Sequence, residues 1–278
     1  MARLELLTQQ VLTSLYGELM SPLEPYLNGA VGPDAEKTAA PGKLAIVPHG
    51  PLHRVPFHAL FDGESYILER FEVSYAPSAK VYSLCQERIS RGSDKALALS
   101  VADPLIPAVK EEAQAVARHF PAAEVLSDRQ ATVAALRAKV PGCGVLHLAC
   151  HGMFRSDNPM FSSLKLCDGW LTAADVLDLD LAGALVTLSA CESGRNEVLG
   201  GDELIGLTRA FLGAGAATLV ASLWLVQDET TAELMEKWYE HLRKGVGRAA
   251  ALRQAQLELK DNFPHPYYWS PFVLIGQR

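Results

Sequence analysis

Residues 145–152, Val-Leu-His-Leu-Ala-Cys-His-Gly, and residues 185–194, LVTLSACESG, decide the reading of this chain. In each, a run that is apolar on nearly every residue ends abruptly in chemistry-bearing groups. A strand tolerates apolar residues on both sides only when both sheet faces are covered, as in a parallel sheet between helical layers. Similar short runs recur at Leu44–Val47, Glu72–Tyr75, Ala96–Val101, Thr218–Leu223 and Phe272–Ile275. Between them apolar residues take helical spacing, over Ala79–Ile89, Lys110–Phe120, Thr132–Val140, Asp202–Leu212, Glu229–Leu242 and Arg248–Leu259. This alternation predicts an α/β sandwich with a mainly parallel central sheet. Pro51, Pro56 and the Leu60–Gly63 turn predict a hairpin-like antiparallel section at one edge, within residues 43–75.

The remaining sequence bounds the function. The chain has 278 residues, 49% hydrophobic and 21% charged, which excludes a collagen-like, low-complexity or disordered protein. A net charge of −7 disfavours non-specific nucleic-acid binding, because phosphate affinity comes mostly from Lys and Arg. Arg243, Lys244, Arg248 and Arg253 are the nearest thing to a local basic patch, and a solvated helix face is the simpler reading of them. The longest weakly polar run, Gly213–Val226, is too short for a membrane span of about 20 residues. The N-terminus lacks the apolar core of a signal peptide. Five cysteines at irregular spacing predict free thiols in a reducing compartment, hence a cytoplasmic protein. Leu4, Leu7, Val11, Leu15 and Leu19 predict an amphipathic helix. A connection rich in Pro and Gly follows to Gly42, so the chain divides into a helix and linker, 1–42, and a domain, 43–278.

In an open α/β sheet, sites form beyond the carboxyl ends of the strands. His151 and Cys191 both stand there. A cysteine needs a nearby imidazole to raise its thiolate fraction and to protonate a leaving amine. Gly152 is expected to turn the backbone sharply, and its N–H with that of Cys191 could complete an oxyanion hole. Buried strand-end cysteines are more often packing residues, so these residues alone leave both readings open. Zinc is disfavoured, since His147 and Cys150 would point to opposite faces of a strand. Gly200-Gly201-Asp202 lacks the Lys of a phosphate loop, and no G-x-S-x-G elbow occurs.

The stretches LHLACHG (146–152), LVTLSACESG (185–194), GDELIGLTRAFLGAGAATLVASLWLVQDETT (201–231) and HPYYWSPFVLIG (265–276) resemble the CHAT domain, as do LAIVPHGPLHRVPFHAL (44–60) and YILERFEVSYAPSA (66–79). This is a caspase-like cysteine peptidase module, related to separase and found with tetratricopeptide repeats. The resemblance implies a caspase-like αβα sandwich and an endopeptidase with a His–Cys dyad, His151 and Cys191, with Gly152 beside it. It implies a substrate pocket holding Ser189 and Asp228, which would face Arg or Lys before the scissile bond. Asp157 is a second candidate acid and Trp224 a candidate pocket wall. Asp228 equally suits a helix N-cap. Cys150 and Ser193 depart from the family pattern, where Thr or Ser and Thr are more usual, without removing a catalytic group. No metal or cofactor is implied. The expected partners are a protein substrate and an activating or repeat-domain protein, in a bacterial defence or signalling pathway. The competing reading is a non-catalytic interaction or scaffold module.

Overall fold

The computed structural model describes residues 2–27, 40–91, 94–104, 106–153, 155, 158–192, 201–224, 226 and 228–278. The strands are β1 (Gly42–Ile46), β2 (Phe71–Tyr75), β3 (Lys95–Ser100), β4 (Ala122–Ser127), β5 (Val145–Met153), β6 (Ser163–Leu166), β7 (Gly169–Thr172), β8 (Leu185–Glu192), β9 (Thr218–Ser222) and β10 (Phe272–Gly276). Their order is β1-β2-β10-β9-β8-β5-β3-β4, with the β6–β7 hairpin attached to β5. Every strand expected from an apolar run forms. β4 gave no such run because it is the far edge strand and alternates exposed with covered residues. β6 and β7, four residues each, are too short to show a period.

Most of the sheet is parallel. Antiparallel pairing occurs between β9 and β10, and along β5, β6 and β7. Within the segment expected to hold an antiparallel section, that pairing is confined to the Phe61–Tyr66 bridge at the Leu60–Gly63 turn, while β1 and β2 themselves run parallel, Gly42 opposite Phe71 through Ile46 opposite Tyr75. Parallel neighbours need a long crossover. Residues 47–70 supply it, folding back through short helical turns that bury Phe57, Ala59, Leu60, Ile67 and Leu68.

The helices Val109–Arg118, Asp228–Arg243 and Arg248–Asn262 form one continuous layer, each packed on the next. Right-handed crossovers place Val133–Lys139 and Gly201–Gly213 on the opposite face. Thr132 caps the first of these, its hydroxyl accepting from the Ala135 N–H at 3.0 Å. Trp238, Tyr239, Trp269, Phe211 and Phe272 are fully buried and fill the core. The helix Ala2–Leu19 also packs on this core through Leu12 and Tyr16, with Met20 just past its end; of the expected stripe Leu15 and Leu19 pack against the core, whereas Leu4, Leu7 and Val11 face outward. Tyr16 sets that rotation, because its hydroxyl donates to Glu24 (2.8 Å) and accepts from Arg70 (2.9 Å). Among the described residues, no helix is long and apolar enough to cross a membrane.

His58 shows how the 47–70 crossover is locked. It is buried, with Nε2 donating to the Ser270 carbonyl (3.0 Å) and Nδ1 accepting from the Tyr75 hydroxyl (3.1 Å). That arrangement requires a neutral ring. Burial lowers its pKa from the ordinary 6.5 to about 4, with the Ser270 bond opposing. The unfolded chain therefore protonates His58 before the folded chain does. Stability from this group is full above pH 6.5 and falls as pH drops toward 4, by about 3 kcal/mol in all. Urea melts of the wild type and of His58→Asn across that range should show a shallower loss in the variant. An identical slope in both would refute the linkage.

Candidate active site

β4, β3, β5, β8 and β9 lie in the order 2-1-3-4-5 by their sequence in the chain, a doubly wound arrangement whose direction reverses between β3 and β5. The crevice beyond the carboxyl ends at that reversal is the favoured place for a site. β5, which borders that reversal, carries His151, and β8, the next strand, carries Cys191 beside it. The two strands pair in parallel from Val145 opposite Leu185 to Gly152 opposite Glu192, so His151 and Cys191 are direct register partners. The side chains of Cys191 and Asp228, and the whole of Asp157, lie outside the described residues.

His151 is buried, 8% exposed. Its Nε2 meets Oδ2 of Asp103 in a short contact, and its Nδ1 is buried with no hydrogen-bond partner among the described residues. Asp103 escaped the sequence reading. It sits just past β3, the strand next to β5, and its Oδ1 accepts from the Ile106 N–H at 3.3 Å. The preceding residue is pinned as well, since the Ala102 N–H donates to Asp128 Oδ1 at 3.3 Å. Asp128 takes the left-handed conformation, φ 48°, and its other oxygen pairs with Lys110 (2.5 Å). The available signal was an acid a few residues beyond an apolar strand at the sheet's reversal point.

Gly152 does not turn the chain as expected. β5 continues through Met153, and Gly152 is in register with Leu164 of β6 as well as Glu192 of β8. Ser189 is buried in the β8 ladder opposite Ala149, two positions before Cys191. Trp224 follows β9, one strand further on, and its indole N–H donates to the Tyr267 carbonyl at 3.4 Å. Asp228 is the first residue of the Asp228–Arg243 helix. Cys150 is buried and, one residue from His151 along the strand, belongs to the opposite face.

Beneath the crevice lies a second histidine. His147 is fully buried on the same face of β5 as His151. Its Nε2 stands 3.1 Å from Glu112 Oε1, within ion-pair reach although the angle does not make a hydrogen bond. Its Nδ1 lies 3.3 Å from the Tyr239 hydroxyl, which is 2.6 Å from Thr187 Oγ1. Burial raises the Tyr239 pKa, so the phenol stays protonated. The four side chains tie two helices to β5 and β8.

The CHAT domain model matches residues 9–277. The chain belongs to the CHAT domain family. Human tetratricopeptide repeat protein 28 is 28% identical over 327 aligned residues, which take in 95% of this CHAT domain chain and 13% of that protein. The chain thus spans a small fraction of the curated relatives it matches. The Saccharomyces cerevisiae separase in its securin complex superposes with a TM-score of 0.57 at 14% identity, covering 81% of this chain and 14% of separase. The Arg-specific cysteine proteinase gingipain R superposes with a TM-score of 0.60 at 9% identity, covering 94% of this chain and 69% of the proteinase. At these identities the likeness establishes the caspase-like fold.

The Glu112–His147 contact predicts a coupling measurable by denaturation. Glu112→Leu leaves His147 in the core without its acid and should cost about 3 kcal/mol or more. The double variant Glu112→Leu/His147→Phe should lose clearly less than the sum of the single changes. Simple additivity would show that the two groups do not interact.

Proposed function

We propose that this CHAT domain is a cysteine endopeptidase, with Cys191 as nucleophile and His151 as its base. The single observation that supports this most is the register pairing of the two residues at the carboxyl ends of neighbouring parallel strands, one of which borders the sheet's reversal point. In the proposed reaction the Cys191 thiol gives its proton to the His151 imidazole. The thiolate sulfur then bonds to the carbonyl carbon of the scissile peptide, and the C=O π pair moves onto oxygen. Backbone N–H groups of Gly152 and Cys191 would hold that charge. As the carbonyl re-forms, the C–N bond breaks and the imidazolium proton passes to the departing amine. Water, deprotonated by His151, then hydrolyses the thioester and frees the thiol.

The proposed substrate is a protein cleaved after Arg or Lys, with Asp228 as the acid that receives the basic side chain. A carboxylate pairs with the guanidinium fork in two hydrogen bonds and holds it best where water is scarce. The Arg specificity of gingipain R, which shares the fold, is consistent with this choice. Ser189 and Trp224 are proposed to shape the same pocket, and Asp157 is a second candidate acid. Residues 43–278 are proposed as the catalytic domain, working in a reducing compartment. The tetratricopeptide-repeat relatives suggest a repeat-domain protein as its activating partner.

The test is intact-mass labelling with an arginine-based, thiol-reactive peptide probe, with an aspartate-based probe as control. One adduct is expected on the wild type and none on Cys191→Ala. Asp228→Ala should slow labelling by the arginine probe roughly 30-fold or more, the cost of leaving a desolvated charge unpaired. Labelling retained in Cys191→Ala would refute the nucleophile. An unchanged preference for the arginine probe in Asp228→Ala would confine Asp228 to the start of its helix. A folded protein that takes no adduct would instead support the interaction-module reading.

A further inference from the structure

We infer that Asp103 is the positioning residue of this site: it fixes His151 as the Nε2–H tautomer and leaves Nδ1 as the nitrogen that receives the Cys191 proton. The second half of that statement rests on the peptidase reading; the first half stands on the histidine's surroundings alone.

A neutral imidazole has one N–H and one lone pair, and the group facing each nitrogen decides which is which. Nε2 of His151 is in contact with Asp103 Oδ2. An ionised carboxylate only accepts hydrogen bonds, so the proton belongs on Nε2; the other tautomer would set a lone pair against a negative oxygen. Nδ1 then carries the lone pair. That atom is buried and meets no hydrogen-bond partner among the described residues. A buried acceptor left so is unfavourable, and no described neighbour compensates it. Directly across the ladder from His151 is the backbone of Cys191.

The carboxylate is itself fixed. Its second oxygen accepts from the Ile106 N–H, and the loop is held one residue earlier by Ala102 bonding to Asp128. Asp128 holds its left-handed φ of 48° in an ion pair with Lys110. The Asp103 side chain remains 38% exposed, so solvent screens much of its field. Orientation and tautomer are therefore its main contribution. Once Nδ1 takes the thiol proton, Nε2–H still donates to the same oxygen, and the ring need not rotate between accepting that proton and passing it to the leaving amine.

The deciding experiment is nitrogen-15 NMR of histidine-labelled protein above neutral pH, with His151→Gln used to assign the His151 resonances. The wild type should show a protonated Nε2 and an unprotonated Nδ1. In Asp103→Ala the two forms should mix, and Asp103→Glu should restore the wild-type pattern at least in part. Cys191 alkylation by iodoacetamide, read by mass, should fall roughly a hundredfold in Asp103→Ala and recover partly in Asp103→Glu. A wild-type spectrum with the proton on Nδ1 overturns the assignment without any variant. So does an Asp103→Ala spectrum identical to the wild type. An Nε2–H ring beside a Cys191 inert to iodoacetamide would overturn the peptidase reading and leave the role of Asp103 in the tautomer standing.

Discussion

The parallel ladder between β5 and β8 is the constraint on which the rest of the structure depends. Eight consecutive residues of each strand are in register, and the last pairs include His151 opposite Cys191. Backbone hydrogen bonds along such a ladder fix relative position far more tightly than any loop contact does. The apolar character of Val145–Cys150 and Leu185–Leu188 keeps the ladder buried, and burial makes its hydrogen bonds costly to open. The helical layers exist to cover it. The crevice exists because the strands beyond β5 and those beyond β3 are reached by crossovers on opposite faces.

The same strand shows how polar groups are admitted to such a core. His147 and His151 are four residues apart on one face of β5, and each faces a carboxylate, Glu112 within the helical layer and Asp103 at the rim. The inner pair is wholly dry, so each partner there depends on the other for compensation. The outer pair keeps an exposed carboxylate and a buried imidazole nitrogen. Depth along a single strand thus separates a group that holds the layers together from one whose Nδ1 meets no hydrogen-bond partner among the described residues.

Most of this was legible in the amino acids because burial on both faces writes itself as an unbroken apolar run. Leu185–Ser189 and Phe272–Ile275 are examples; the second stops one residue short of its strand's end and the first three residues short. Direction is not written in that way. The 43–75 segment carries turn residues and two strand-like runs, and nothing in its periodicity says whether those runs pair parallel or antiparallel; the buried Phe57–Leu60 stretch makes their connection a crossover and confines antiparallel pairing to the Phe61–Tyr66 bridge. The first helix was found but its rotation was not, because leucine spacing outweighed Tyr16, whose polar tip and buried ring decide the face. His151 and Cys191 announced themselves through motifs. Asp103 did not, since its importance comes from the order of strands in space, and a carboxylate before Pro104 reads locally as an ordinary turn.

The placement of β10 has a bearing on how the molecule assembles. Among the described residues, β1 and β2 join the remainder of the sheet through β10 alone, which pairs with β2 on one side and β9 on the other. During synthesis the two early strands can form their own ribbon, yet they cannot be stitched into the sheet until residues 272–276 have emerged. Until then the inner edge of β2 and the outer edge of β9 are both bare, and each can recruit the wrong neighbour. Closure by such a distant segment makes for slow folding, since the entropy of bringing far parts of the chain together is lost before the pairing returns anything. The native sheet is thus completed from its middle, and a ribosome-bound chain in which β10 has not yet emerged would carry two open seams.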